Sequence, residues 1–240
     1  MHNFRFNRRW TWEWILGNSR RLVEPFKPAA PWQDPTAYFR NLGLSAYDQK
    51  HLAGNEDLFA DACSRLLRPV INVSAVGKIL DLGCGDGALL ARLPLNGSEI
   101  TLVDCSDAHL KVAHARLLPT AKSIMTINED IRKWNPAITI PYSLVLSVNV
   151  IPYIEDLEEF LYLCRAVTAP GGYLLIAGPA ESRVWESEFE GVRVLFHTSS
   201  KINQAANKVG FRTVEHSPIG FCLPLWPRPI IVGFVTVFQL

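Results

Sequence analysis

The residues best placed for chemistry sit in the run Ile79–Leu80–Asp81–Leu82–Gly83–Cys84–Gly85–Asp86–Gly87. Three glycines spaced by two let a backbone turn sharply and come close to a ligand, because no Cβ stands in the way. About twenty residues on, an apolar run ends at Asp104, where a carboxylate can accept both hydroxyl protons of a ribose. A third acid, Asp130, follows another apolar run in Asn128–Glu129–Asp130–Ile131 and is placed to accept a hydrogen bond from an adenine amino group. The chemistry these positions prescribe is the holding of an adenosine-bearing ligand. Cys84 and Cys105 flank the same positions and read as small apolar linings rather than reactive thiols.

Such residues work only if regular elements carry them to one place. Short apolar segments at Lys78–Leu82, Ile100–Asp104, Ser123–Ile127, Ser143–Val148 and Tyr173–Ala177 predict strands buried on both faces. Between and after them, Ala88–Leu93, Asp107–Leu117, Glu155–Val167 and Ser199–Val209 predict helices, as does Asp57–Leu67, which Pro69 should stop. This alternation implies a parallel sheet flanked by helices. The rhythm breaks at Phe211–His216 and Ile230–Phe238, two strands with no helix between them, which predict an antiparallel hairpin at the sheet edge. Residues 1–56 differ from the rest. Arginines alternate there with Trp10, Trp12 and Trp14, and Pro25, Pro28, Pro31 and Pro35 punctuate the segment. That stretch is expected to be an irregular arm or lid with one short helix around Trp12–Arg21, and residues 57–240 to be the main domain.

Composition narrows the field. The chain has 240 residues, 48% hydrophobic and 20% charged, with a net charge of +1. That balance fits a globular enzyme and argues against a protein that grips nucleic acid. Five cysteines without a C-x-x-C pair fit reduced thiols in the cytoplasm, with no metal site. The N-terminus lacks the unbroken apolar core of a signal peptide, and Ile230–Leu240 is about half the roughly 20 residues of a membrane span.

A glycine fingerprint alone is ambiguous, since Gly83-x-Gly85-x-x-Ala88 with Asp104 also suits a nicotinamide dinucleotide. Asp81 two residues before the first glycine, Asp130 after a third strand, and the terminal hairpin favour another reading. Asp81–Gly87, Leu102–Ser106, Glu129–Ile131 and Ala169–Leu174 resemble, in order and spacing, the motifs of class I S-adenosylmethionine-dependent methyltransferases of the small-molecule type. The resemblance implies an α/β, Rossmann-like, seven-stranded and mostly parallel sheet of order 3-2-1-4-5-7-6, with strand 7 antiparallel. It also implies S-adenosyl-L-methionine as cofactor and S-adenosyl-L-homocysteine as product. Asp81, Gly83, Cys84, Gly85 and Gly87 would surround the methionine end. Asp104 and Cys105 would hold the ribose, and Asp130 and Ile131 the adenine. Ser147 and Val148 would lie beneath the methionyl group.

Acceptor-side groups are expected in two places. One is the loop Asn149–Tyr153, with Asn149 and Tyr153 as pocket candidates; Tyr153 reads equally well as an aromatic packed over the sheet edge. The other is His197, a candidate general base by its near-neutral titration, or else a hydrogen-bonded loop histidine. Tyr47 and His51 are candidate lid residues, and His109 and His114 are expected to be solvated. The reading is methyl transfer to oxygen, nitrogen or carbon of a small molecule, by in-line displacement and mainly through positioning. The alternative is a protein of the same fold that binds the cofactor without transferring methyl. A cytoplasmic protein, with a homodimer admissible, completes the expectation.

Overall fold

A computed structural model describes residues 34–41, 56–70, 77–136, 141–179, 195, 197–221 and 230–240. Helix α1 (Pro35–Asn41) comes first, then α2 (Glu56–Val70), β1 (Lys78–Leu82), β2 (Glu99–Asp104), α3 (Asp107–Leu117) and β3 (Ser123–Asn128). After these follow β4 (Tyr142–Val148), α4 (Leu157–Val167), β5 (Thr168–Pro179), α5 (Ser199–Lys208), β6 (Arg212–Phe221) and β7 (Ile230–Gln239). The strands form one sheet of order β3-β2-β1-β4-β5-β7-β6. Strands β1 to β5 run parallel, and β7 pairs antiparallel with both β5 and β6. Both the strand order and the reversed last strand agree with the expectation.

The strands are apolar on both faces because helices cover both. Ile79, Leu144, Leu146, Leu175, Val235 and Val237 pack into the cluster beneath α2 and α3. The alternate positions Leu80, Leu82, Val145, Leu174, Ile176, Phe234 and Phe238 face α4 and α5. Side chains of a strand alternate sides with period 2, so unbroken apolar runs are what a doubly covered sheet requires. Among the described residues no helix is long and apolar enough to cross a membrane.

Four expectations change. Ala88–Leu93 is not an α-helix; only a 3₁₀ turn forms at Leu90–Arg92. Six residues between Gly87 and Pro94 are too few to stabilise an α-helix, and Pro94 cannot extend one. Helix α2 runs on to Val70 with Pro69 in its last turn. β5 begins at Thr168, because Thr168 pairs with Tyr142 and Tyr173 with Leu144, and the residues between bulge out around Gly171 at φ +74°. Finally, the segment expected to be irregular contains α1, with Asp34 as its cap: the Asp34 carboxylate accepts from the N–H of Thr36 at 2.7 Å and of Ala37 at 3.3 Å. The Arg/Trp run, with the short helix expected around Trp12–Arg21, lies outside the described residues, as do Tyr47 and His51.

Candidate active-site cleft

Strand order reverses between β1 and β4, which opens a crevice at the carboxyl ends of these strands. The glycine turn stands at its floor. The N–H groups of Gly83 and Cys84 both donate to Val103 O, at 2.8 and 3.2 Å, which ties the turn to the end of β2. Gly83, Gly85 and Gly87 have φ of +74°, +54° and +73°, a region open to glycine and strained for other residues. At Gly83 a Cβ would collide with Val150 Cγ2, and at Gly87 it would meet Ala113 Cβ and Cα of α3 at 3.0 and 3.1 Å. Gly87 thus serves helix packing, whereas Gly83 and Gly85 line the cleft.

Asp104 ends β2 and is 8% exposed. One carboxylate oxygen accepts from the Gly85 N–H and the other from the Ser106 N–H, both at 2.9 Å. An ionised carboxylate has about four acceptor positions, so beyond these bonds and that of the Cys105 thiol it keeps capacity for a ligand. Burial raises the pKa of Asp104 above the usual carboxylate range, against the lowering effect of these two N–H bonds. Asp81 shares a sheet face with Asp104 but lies deeper, towards Cys63 of α2, and does not line the cleft. Burial, reinforced by the charge of Asp104, pushes Asp81 up to about 7.

At the third strand end Asp130 is buried, and its carboxylate is held by four donors. Oδ1 accepts from the backbone N–H and from Nε of Arg132, each at 3.0 Å; Oδ2 accepts from the Thr36 hydroxyl at 2.6 Å and from Arg132 Nη2 at 2.7 Å. Despite desolvation, these bonds hold Asp130 down at about 2. Helix α1 lies over this corner, with Arg40 Nε donating to Cys105 O at 3.2 Å.

The cleft encloses about 670 Å³, mouth included. It brings together the expected Gly83, Gly85, Asp104, Cys105, Asp130, Ile131, Asn149 and Tyr153. Asn149 adopts φ +59°, unusual for a residue with a side chain, while its N–H donates to Ala177 O at 2.8 Å. The Tyr153 ring meets Phe39 of α1 edge-on, with centroids 5.0 Å apart. Burial pushes the Tyr153 phenol well above its ordinary range, so it stays protonated. The wall around it, Phe39, Val148, Val150 and Ile154, is apolar.

Other expected residues lie elsewhere. Cys84 is half-buried against the core under α2, its Sγ donating to Gly85 O at 3.4 Å. Ser147 is fully buried in β4 with no partner for its hydroxyl among the described residues, and it is Val148 that reaches the cleft. His197 takes the second of its two readings, a hydrogen-bonded loop histidine outside the cleft: its Nε2 donates to Ile154 O at 2.9 Å, and the ring lines a separate cavity with His216 and Phe234. His109 is a correction: expected in solvent, it is 1% exposed and lines the cleft. It stands one turn before Ala113 and two before Leu117, the buried face of α3. Thr36, Phe39 and Arg132 were not anticipated, and Val150 only as part of the loop Asn149–Tyr153. The sequence signal for α1 was Asp34–Pro35, a cap residue followed by proline at the first helical position. Among the described residues no cluster of His, Cys, Asp and Glu could hold a metal.

Residues 80–174 match the family model of a methyltransferase domain. The chain is 29% identical over 100 residues to a ubiquinone biosynthesis O-methyltransferase of Caulobacter, covering 42% of this chain and 40% of that protein. The protein of the same name from Sinorhizobium fredii is 25% identical over 157 residues, covering 62% and 58%. The chain therefore spans only about half the length of the curated relatives it matches. Among solved structures, a SAM-dependent methyltransferase of Leishmania major shares the fold at TM-score 0.65 and 14% identity, over 85% of this chain and 80% of that one. DhpI in complex with SAH does so at 0.64 and 16%, over 86% and 95%.

Proposed function

We propose that this chain, whose residues 80–174 match a methyltransferase-domain family model, is a class I methyltransferase whose cleft binds S-adenosyl-L-methionine and directs its methyl group to a small-molecule acceptor. The observation that carries this reading is Asp104, fixed by two backbone N–H groups beside a Cβ-free turn and lining the cleft with acceptor capacity left for a ribose hydroxyl. The bound sulfonium supplies an already activated methyl group. The chain's own work is placement: Gly83 and Gly85 let the backbone approach, Asp104 fixes the sugar, and α1 shields the reaction from water.

The acceptor chamber is framed by Phe39, Val148, Val150, Tyr153 and Ile154, which fits a largely apolar small molecule. The names of the curated relatives point to oxygen as the acceptor atom. Burial, with Tyr38 beside it, keeps the Tyr153 phenol protonated, so it is suited to donate a hydrogen bond rather than to take a proton. Asn149, held in a left-handed conformation at the end of β4, is positioned to orient the acceptor. His197 bears on the site through Ile154 O, as support behind the wall.

Calorimetry with S-adenosyl-L-homocysteine tests the cofactor reading, with micromolar affinity expected. No heat from a folded chain would remove it. Transfer of labelled methyl to a hydroxylated apolar acceptor tests the chemistry, and label retained wholly on the donor would favour cofactor binding without transfer.

A further inference from the structure

We propose that Asp130 and Arg132 form a clasp holding α1 across the adenine end of the cleft, and that Asp130, so employed, does not read the adenine amino group. The inference rests on the cofactor reading for the word adenine; the clasp itself rests on geometry alone. A carboxylate offers about four acceptor positions. Asp104 takes one backbone N–H on each oxygen and the Cys105 thiol besides, and it lines the cleft with capacity left over. Asp130 uses four: two donors on Oδ1, both from Arg132, and two on Oδ2, from Thr36 and Arg132. Asp104 closes β2, whereas Asp130 lies two residues beyond Asn128, the register partner of Asp104 at the end of β3, and the two acids do different work.

Arg132 is the centre of the clasp. Its Nη2 reaches Asp130 Oδ2 at 2.7 Å, Thr36 Oγ1 at 2.6 Å, and both carboxylate oxygens of Asp34 at 3.0 and 3.2 Å. Asp34 caps α1, and Thr36 lies in its first turn, so one guanidinium binds the start of the helix to the end of β3. A helix of seven residues has little stability of its own, and its position depends on such ties. The Asp130 side chain is only 7% exposed and that of Arg132 29%, so removing the cation leaves a nearly buried charge unpaired. Pro35, Thr36 and Phe39 of α1 all line the cleft, so wherever the clasp sets the helix, it sets the cleft's wall.

Two measurements on the whole chain test this. In the ligand-free protein, hydrogen exchange of amides 36–41 is expected to be at least ~10-fold faster in Arg132→Ala than in the wild type, with Arg132→Lys between them. Equal rates overturn the clasp. Should Arg132→Ala fail to fold, Thr36→Val removes one strand of the clasp and reads the same exchange. The second measurement is calorimetry with S-adenosyl-L-homocysteine and its analogue bearing hydrogen in place of the 6-amino group. The wild type is expected to discriminate by less than ~3-fold, since a hydrogen bond to a charged acceptor would be worth ~10-fold or more. In Thr36→Val, where one position on Oδ2 is released, the ratio should widen to ~10-fold. A wild-type ratio of ~10-fold, or a ratio that does not widen, overturns the assignment of Asp130. Absence of any affinity for S-adenosyl-L-homocysteine refutes the cofactor reading and the adenine half with it, while exchange in the free protein still decides the clasp.

Discussion

A single methyl group placed at Gly83 separates two costs that the glycine turn avoids. The first is steric. An ideal Cβ falls inside contact distance of Val150 Cγ2, whereas Val150 Cβ and Cγ1 stand at 3.6 and 3.8 Å. Val150 is 8% exposed and forms part of the cleft wall, so it cannot swing aside without entering the ligand's space. Overpacking of this kind costs about 1–3 kcal/mol. The second cost is conformational: φ of +74° carries a penalty of about 1–2 kcal/mol for a residue with a Cβ. Gly83→Ala is therefore expected to lose roughly 2–5 kcal/mol in all, divided between folding and cofactor affinity. Val150→Ala removes the colliding Cγ2 and leaves the nearest contact at 3.6 Å. In a double-mutant cycle the pair should show a favourable coupling of about 1–3 kcal/mol, with the conformational part persisting. Urea unfolding and titration with S-adenosyl-L-homocysteine measure both components. An unchanged midpoint and affinity in Gly83→Ala, or a coupling near zero, would refute the close-approach argument.

Further predictions follow from the same geometry. Asp104→Ala should weaken S-adenosyl-L-homocysteine by at least ~10-fold, since it removes the ribose acceptor and the partner of Gly85 N–H together; affinity within twofold of the wild type would sink the ribose assignment. Asp81, raised to about 7 from an ordinary 3.8, binds its proton more tightly in the folded chain than in the unfolded one. Its contribution is therefore fully present below pH ~4 and is lost as pH rises through ~7, on the order of a few kcal/mol. Asp81→Asn should flatten this part of the stability profile, and coincident slopes for variant and wild type would count against the burial argument. His197→Phe should leave S-adenosyl-L-homocysteine affinity within about twofold while lowering stability by about 1 kcal/mol through the lost bond to Ile154 O. A tenfold loss of affinity would return His197 to the site.

The sheet was legible because its physics is local. Runs such as Leu144–Leu146 and Leu174–Ala177 are apolar on both faces, and only a doubly covered strand needs that. The reversal of β7 followed from the absence of a crossover helix. The glycine turn and Asp104 were legible by spacing alone. What stayed hidden depends on contacts far apart in sequence: Thr36 meets Asp130 across 94 residues, and Asp34 meets Arg132 across 98. The burial of His109 was hidden for another reason. Helix α3, DAHLKVAHARL, carries polar residues around much of its circumference, so its inner face is poorly marked. For His197 the sequence placed the loop but could not show that the ring turns to a backbone carbonyl.

The position of β7 has a consequence for how the molecule is made. β6 joins the sheet through β7 alone, although β7 is synthesised after it. Until Ile230–Gln239 emerges from the ribosome, the long rim of β5 stands without a partner, and β6 has nothing to zip onto. The nascent chain must wait with an open, apolar ribbon, a hazard for sticking to neighbours that ends only when the final strand slides between the two.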